Sequence, residues 1–542
     1  MQKLGEQFST VVTPQSEPIP GAAQVANNAG GFVYTVNDWT RLDRFLIIGT
    51  EGGTYYASEK KLTKENCTVA VKLIKEDGLR VVNRVVEISD KGLAAKNDPA
   101  LFILAMASSL GNDETRKAAF AALPKVARIG THLFHFAQFR QAFGGWGKGM
   151  KKAVAKWYQE KSTDALALQA VKYQSRDGWS HKDLLRLSHP LPENEARAAI
   201  YKWITGWDGK AIKDRVRLEA GALPTVIQAF ETLKGLENDV KAAATLIASS
   251  KMPREGIPTK LLTDPLIWEA MLPSLGLTAL IRNLGTMSKI GFLVHGSAAE
   301  KTIIARLTDE AALKKARIHP MQALTALMTY KAGRGVKSDA TWIAAPRIID
   351  ALDDAFYKAF QFVEPTGKDQ LLALDVSGSM GWGGMGESGL GNVPDLSPRV
   401  VSAAMAMVTA RVEKNYEIMA FSNTFMPLTI SPRQRLDDVV KAISDLPFQG
   451  TDCALPMVWA LKNKKSFDAF VVYTDNETWA GDIHPTQALK KYRNFHQGAK
   501  LAVVGMTATE FSIADSNDSG MMDLVGYSSD TPSVLANFIR GI

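Results

Sequence analysis

Two carboxylates and three hydroxyls stand out as residues whose types and spacing do chemistry together. Asp375 opens Asp375-Val376-Ser377-Gly378-Ser379, Thr451 lies in Gly450-Thr451-Asp452, and Asp475 follows Phe470-Val471-Val472-Tyr473-Thr474. All five side chains offer hard oxygen donors. Mg2+ takes such oxygens in octahedral geometry and keeps some of its waters, so a set this sparse leaves a coordination position for a partner's carboxylate or phosphate. Taken alone, Asp-x-Ser-x-Ser reads equally well as a strand-end turn, which Asp and Ser favour. The three pieces in this order, each at a predicted strand end or loop, favour the cation.

A second constellation is basic. Lys172 and Arg176 are four residues apart, a spacing that places both on one face of a helix. His181, Lys182, Arg186 and His189 follow within one further element, giving forks and ring donors suited to phosphate oxygens. Lys148, Lys151 and Lys152, with Lys156, form a stripe near one helical face beside Trp146 and Trp157, which also reads as a solvated lysine face over core tryptophans. Lys314, Lys315 and Arg317 make a weaker cluster. Isolated His132, His135 and His319 read more readily as helix-packing residues than as phosphate contacts.

Nothing assembles a nucleophile with its base. His-Glu-x-x-His, Walker-type loops and paired zinc ligands are all missing from the sequence. Asp375 and Asp475 could activate a metal-bound water, but two carboxylates beside several hydroxyls suit ligand capture better. The expectation is a binding protein, not an enzyme.

The elements that position these residues differ along the chain. Residues 1–28 are rich in Pro, Gln, Ser and Ala and read as a flexible arm. From about Lys64 to Phe362, apolar residues recur at three- and four-residue spacing in segments of 10 to 20 residues, such as Pro99–Ser109, Thr131–Phe143 and His319–Tyr330. This suits an α-solenoid of HEAT-like helix pairs or an irregular helical bundle. The helical domain is expected over 29–363. After Glu364-Pro365-Thr366-Gly367 the pattern changes. Short apolar runs at Leu371–Leu374, Tyr416–Phe421, Phe470–Tyr473 and Leu501–Gly505 alternate with amphipathic helices, two of them opening on Ser397-Pro398 and Ser431-Pro432. That order predicts a mostly parallel, Rossmann-like α/β domain over 364–542, whose ligands sit at the carboxyl ends of its strands.

Charge follows the same division. The 542 residues carry a net +8. From Gly367 onward 15 Lys and Arg face 19 Asp and Glu, net −4, which leaves 49 against 37, net +12, before it. A basic helical part suits a polyanion. Two cysteines, Cys67 and Cys453, argue against a disulfide framework. No run approaches the ~18 apolar residues of a membrane helix and no signal-peptide core opens the chain, so the expected location is the cytoplasm.

The five oxygen-bearing residues resemble, at every ligand position, the metal-ion-dependent adhesion site of von Willebrand A-like domains. One departure is a glycine-rich insertion, Gly381 to Asn392, beside the site. The helical part resembles the Ro autoantigen (TROVE domain) family. Its most characteristic stretch runs from Tyr173-Gln174-Ser175-Arg176-Asp177-Gly178-Trp179 to Ser188-His189. Gly49 to Tyr56, Thr131 to Phe134, Arg282 to Gly285 and Lys315 to Pro320 add to it, and the likeness covers nearly the whole chain after about residue 30. The resemblance implies a ring of HEAT-like helices closed by the von Willebrand A-like domain. It implies binding of Y-like small noncoding RNA on the outer face, with Lys172, Arg176 and His189 at contact positions. Single-stranded ends of misfolded RNA would enter the hole, for RNA quality control or decay. An exoribonuclease such as polynucleotide phosphorylase is an implied partner, a monomer the expected state, and Mg2+ the expected ion. Two readings from other classes stay open: a cation-dependent protein-binding adhesion or chaperone-like module, and a metal-dependent nuclease.

Overall fold

The computed structural model describes the chain except residues 1–11, 28, 36, 49–66, 93, 95, 207–222, 336–338, 382–389, 391–392, 394, 447–449, 507–510, 516–517, 526–530 and 542. The Gly49 to Tyr56 motif and nearly all of the glycine-rich insertion lie outside the described residues. The chain divides into two units. One comprises residues 62–303 and 341–345, the other residues 1–61, 304–340 and 346–542. Among the described residues no helix is long and apolar enough to cross a membrane.

The first unit is built of helices that pack mainly on their neighbours in the chain. Asp98–Leu110 packs against Thr68–Asp90, Asp113–Val126 and Gly130–Phe143. Lys148–Gln159 packs on Asp113–Val126 and His181–Ser188, and Thr225–Lys234 on Thr163–Lys172 and Val240–Ser250. Such near-neighbour packing is the mark of a solenoid. Residues 99–108 of the Asp98–Leu110 helix are all buried, as expected of a helix apolar all round. The Thr68–Asp90 helix breaks at Asp77 (φ −149°, ψ 70°). Beside that break, a Cβ on Gly78 would come within 2.5 Å of Thr115 Oγ1, so the two helices approach where only glycine fits.

Helix starts follow the sequence. Asn112, Ser162 and Asn194 each accept a hydrogen bond from a first-turn amide. This satisfies donors that a helix start leaves without partners. Two antiparallel strands interrupt the helices, β3 (Ser175–Arg176) and β4 (Trp179–Ser180).

The second unit holds a six-stranded sheet. Its strands are β5 (Gln370–Asp375), β6 (Tyr416–Phe421), β7 (Phe425–Pro427), β8 (Ala469–Thr474), β9 (Lys500–Gly505) and β11 (Met521–Val525), in the order β11-β9-β8-β5-β6-β7. All pairs are parallel except β6 with β7. Strands β5 and β8 are buried along their whole length, the signature of parallel strands covered on both faces. Leu371, Phe470, Val472, Leu501 and Val503 pack with Tyr492 and Met457 in its core.

Two sequence expectations differ from the structure. Residues 12–27 are not a loose arm. Strand β1 (Gln24–Ala26) pairs with β2 (Phe32–Thr35), and β2 pairs with β10 (Phe511–Ser512). Gln15 is fully buried. Thr13, Gln15 and Asn27 are buried and hydrogen-bonded within this unit, while Ser16, Glu17 and Pro18 between them face solvent. Residues before 364 also pack with the sheet. The Pro346–Ala359 helix clusters with the sheet domain. Arg435 pairs with Asp353 at 2.5 Å, Leu436 N donates to Tyr357 Oη at 2.8 Å, and the Arg411 guanidinium lies over the Phe360 ring at 4.8 Å. Finally, Ser397 caps the Pro398–Val412 helix, but Ser431-Pro432 starts no helix. Ser431 Oγ accepts from Arg433 N in a turn, and the helix begins at Leu436.

Candidate cation centre and basic hairpin

Asp375 ends β5, and Asp475 directly follows the neighbouring strand β8. Both therefore stand at the carboxyl edge of the sheet, where parallel α/β sheets bind ligands. Asp375 is 1% exposed. Its Oδ1 accepts from Ser377 N at 2.8 Å, and its Oδ2 accepts from Thr474 Oγ1 at 2.8 Å. Ser377 Oγ and Ser379 Oγ are 3.0 Å apart. The loop carrying Thr451 is tied to both sides. Asp452 N donates to Ser422 O beyond β6 at 2.9 Å, while Thr451 O accepts from Trp479 N and Ala480 N at 3.0 and 3.1 Å. The fold thus gathers all three predicted pieces, with Asp375, Ser377, Thr451 and Asp475 buried and Ser379 exposed.

Burial, with the like charge of Asp475 as the next cause, pushes the Asp375 carboxyl up to about 7. A carboxylate out of water beside another disfavours its own ionisation. Arg399 is a partial counterweight, its Nη2 donating to Ser377 O at 3.5 Å. Among the described residues no three His, Cys, Asp or Glu side chains gather as a metal cluster. Two carboxylates with hydroxyls are therefore the whole charged donor set seen here. The five predicted side chains are all hard oxygens, with two like charges buried and one hydroxyl exposed, a donor set whose chemistry fits a hard divalent cation.

The sequence gives less warning of the residues around this site. Thr474, Asp452 and Thr478 each bond to a cation loop. Asn476 sits at φ 70° with both side-chain amide atoms buried and without a hydrogen-bond partner. Asn is among the few residues that tolerate that backbone.

The basic constellation is differently built from its expectation. Lys172 ends the Thr163–Lys172 helix, and Arg176 is on β3, so the two do not share a helix face. Asp177 (φ 53°) and Gly178 (φ 78°) form a two-residue turn with both residues left-handed, the type I′ geometry that Asp-Gly favours in hairpins. That turn signal outweighs the four-residue spacing. Arg176 is 63% exposed on the hairpin. Trp179 contacts Trp146 at 5.5 Å between ring centres and donates from Nε1 to Gln138 at 3.1 Å.

The hairpin leads directly into the His181–Ser188 helix, opened by a capping box of Ser180 with Asp183. His189 closes it in a left-handed conformation and is exposed, eight residues or about 12 Å beyond the hairpin. Lys182 is partly exposed, and Arg186 donates to Thr205 O at 3.1 Å from an exposed position. Lys148, Lys151, Lys152 and Lys156 are all exposed on the Lys148–Gln159 helix, whose Trp157 is buried.

His181 does not belong to this surface. It is 3% exposed, packs against Phe134, Trp157 and Tyr158, and shares a 2.7 Å hydrogen bond with the Tyr158 hydroxyl. Burial pushes its ring down to about 4, so it is neutral and apolar in use. Its position one residue after the hairpin made it look like part of the cluster, but the first turn of this helix faces inward there. His135 takes a role no spacing shows. It bonds to Asp177 of the turn and faces Asp98 at 3.6 Å. A cavity of about 440 Å³ lined by Lys96, Asn97, Asp98, Arg128, Thr131 and His132 adjoins it.

Residues 25–215 and 247–327 match the TROVE domain family, and residues 370–539 match the Ro60 vWA domain. The chain is 43% identical to the RNA-binding protein RO60 of Deinococcus radiodurans over the full length of both. It is 34% identical to RNA-binding protein RO60 of Caenorhabditis elegans, covering 96% of this chain and 90% of that one. Its structure is similar to the crystal structure of the Deinococcus radiodurans RO (RSR) protein, with a TM-score of 0.76 at 43% identity, covering 93% of this chain and all of the other.

Proposed function

The chain belongs to the TROVE-domain Ro family, and from that premise we propose that it is an RNA-binding protein whose helical unit carries the RNA. The observation that carries this reading is the exposed Arg176 hairpin running into His189, with Lys172 at its foot, in a part of the chain with net charge +12. Two relatives named as RNA-binding proteins support it. Phosphate contacts fix a protein on RNA, and a bent hairpin with a following helix end spreads cations over several phosphates. The finer reading is a Y-like small noncoding RNA on this face, with Lys172, Arg176 and His189 as contacts and Lys182, Arg186 and the lysines of the Lys148–Gln159 helix beside them. Misfolded or single-stranded-ended RNA would be a second ligand, and RNA quality control with an exoribonuclease the setting.

We propose Mg2+ for the second site, held by Asp375, Ser377, Ser379, Thr451 and Asp475. When bound, it supplies charge that relieves the two carboxylates and a Lewis-acidic point for a partner's anionic group. The chain's own residues bind and orient; none is placed to deliver a nucleophile. The test of the RNA reading is affinity for a radiolabelled stem–loop RNA across salt concentrations. Affinity that falls steeply as salt rises supports it, because phosphate contacts release counterions. No binding at low salt contradicts it and leaves a cation-dependent protein-binding module as the better account.

A further inference from the structure

Gln15 is fully buried at the point where the N-terminal segment crosses the cation loops. Its Nε2 donates to Asp452 Oδ1 at 2.6 Å and to Ile483 O at 2.9 Å, and its Oε1 accepts from the Thr478 hydroxyl. Asp452 adjoins Thr451, and Thr478 lies three residues after Asp475. One side-chain amide therefore bridges the second and third cation loops. Its backbone is fixed as well: Gln15 N donates to Gly481 O, and Phe32 N donates to Gln15 O, both at 2.8 Å.

The rest of the segment grips the third loop. Asn27 Nδ2 donates to Thr478 O at 2.8 Å, and Ala29 N donates to Glu477 at 3.1 Å. His484 bonds to Glu17 O at 2.8 Å. The approach is close enough to require glycine twice. A Cβ on Gly31 would stand 2.0 Å from Thr478 O, and one on Gly481 would stand 2.2 Å from Gln15 Nε2. Asp452 Oδ1 takes two donors: Ala454 N at 2.9 Å from within its own loop, and the Gln15 amide from the N-terminal segment. Without the amide, Asp452 keeps only the Ala454 bond, and the Thr451 loop loses one of its ties to the third loop.

We infer that residues 13–27 and 29–32 form a strap whose seating and divalent-cation binding are coupled, with Gln15 as the positioning residue for the Thr451 and Asp475 loops. This rests on the cation assignment proposed above. Coupling is reciprocal: whatever the seated strap adds to cation affinity, the cation returns as strap stability. The arrangement needs no contact between Gln15 and the ion. It needs only that the two loops hold one geometry with the amide in place and several without it.

The test is calorimetric titration of the full chain with Mg2+ alone, for wild type, Gln15→Leu and Val25→Ala. Leucine keeps the volume of Gln15 and removes its bonds; Val25 is exposed on the same segment and serves as control. Mg2+ affinity is expected to fall about tenfold or more in Gln15→Leu and to stay within twofold in Val25→Ala. Hydrogen exchange on the wild type gives the reciprocal readout without any substitution: Mg2+ should slow exchange of the Gln15 and Phe32 amides at least severalfold. A wild type that binds Mg2+, with unchanged affinity in Gln15→Leu or unchanged exchange at those amides, overturns the strap inference alone. A wild type that takes up no Mg2+ overturns the cation assignment and the inference together. If Gln15→Leu does not fold, the exchange measurement decides.

Discussion

Asp375 and Arg176 are both charged and both lie in strands, in opposite surroundings. Asp375 is 1% exposed at the end of a central parallel strand, while Arg176 is 63% exposed on a strand of two residues. The first sits beside another carboxylate and is held by two hydrogen bonds. The second lies 4.0 Å from Asp177 and otherwise faces solvent. A buried carboxyl of this kind is stabilised either by a proton or by a cation it binds, and its energetics are local. An exposed cationic patch works through many weak, salt-screened contacts with a polyanion. The same chain therefore holds a site that should answer to divalent cations and a surface that should answer to ionic strength.

The largest expected effect breaks the exposed side of this comparison. Replacing Lys172, Arg176 and His189 together with alanine should lower affinity for a stem–loop RNA by about 100-fold or more at fixed salt, since charged hydrogen bonds contribute roughly 1.5–3 kcal/mol each. The log–log salt slope should flatten by about 2, one for each lost lysine or arginine contact. Gel-shift titrations at several salt concentrations measure both. Unchanged affinity would remove that face from the RNA account.

Next is the histidine that looks like part of the face and is not. His181→Ala should destabilise the protein by roughly 2–4 kcal/mol, from a cavity and an orphaned Tyr158 hydroxyl. The folded fraction should keep its RNA affinity. The pH dependence follows from the lowered pKa. The folded ring titrates near 4 and an unfolded one near 6.5. Between those values the unfolded state binds more protons, so stability is complete above pH 6.5 and lost as pH falls toward 4. The loss from this group approaches about 3 kcal/mol. Urea denaturation at pH 7 and pH 5 should show a drop in wild type that His181→Ala reduces.

A smaller effect sharpens the buried side. Asp375→Asn removes one of two like charges, so in EDTA this variant should melt at or above the wild type. Saturating Mg2+ at about 100 times its Kd should stabilise wild type by about 2.7 kcal/mol and leave the variant nearly unmoved. Thermal melts with and without the ion measure this, and an equal Mg2+ response in both proteins would count against Asp375 as a ligand.

These two regions also differ in how well the sequence reveals them. The edge positions of Asp375 and Asp475 were legible because parallel strands are short, uniformly apolar runs, and the residue after each is at the ligand edge by topology. Asp375 and Asp475 needed no tertiary information beyond that. The bonds of Gln15 with Asp452 and Thr478 did, since they join residues more than 430 positions apart. A Pro- and Gln-rich start reads as loose when its partners lie at the other end of the chain. The helical unit was legible in its caps and apolar periods. Its basic face was misjudged at one spot because spacing arithmetic assumed a helix from Lys172 through Arg176, just before Asp177-Gly178, a dipeptide that itself announces a hairpin. Strands β7, β10 and β11 are too short, or in the case of β11 too mixed in Met and Asp, to stand out. His181 shows the same lesson at the level of one ring: which way the first turn of a helix faces is decided by what packs against it.

The most direct test of the division between the two regions is RNA affinity of Asp375→Ala measured beside the Lys172, Arg176 and His189 triple variant, with melting curves confirming that both are folded. The account predicts that Asp375→Ala binds the stem–loop RNA within about twofold of wild type while the triple variant loses about 100-fold or more. A large loss in folded Asp375→Ala, with the triple variant near wild type, would contradict it and place the RNA at the cation site.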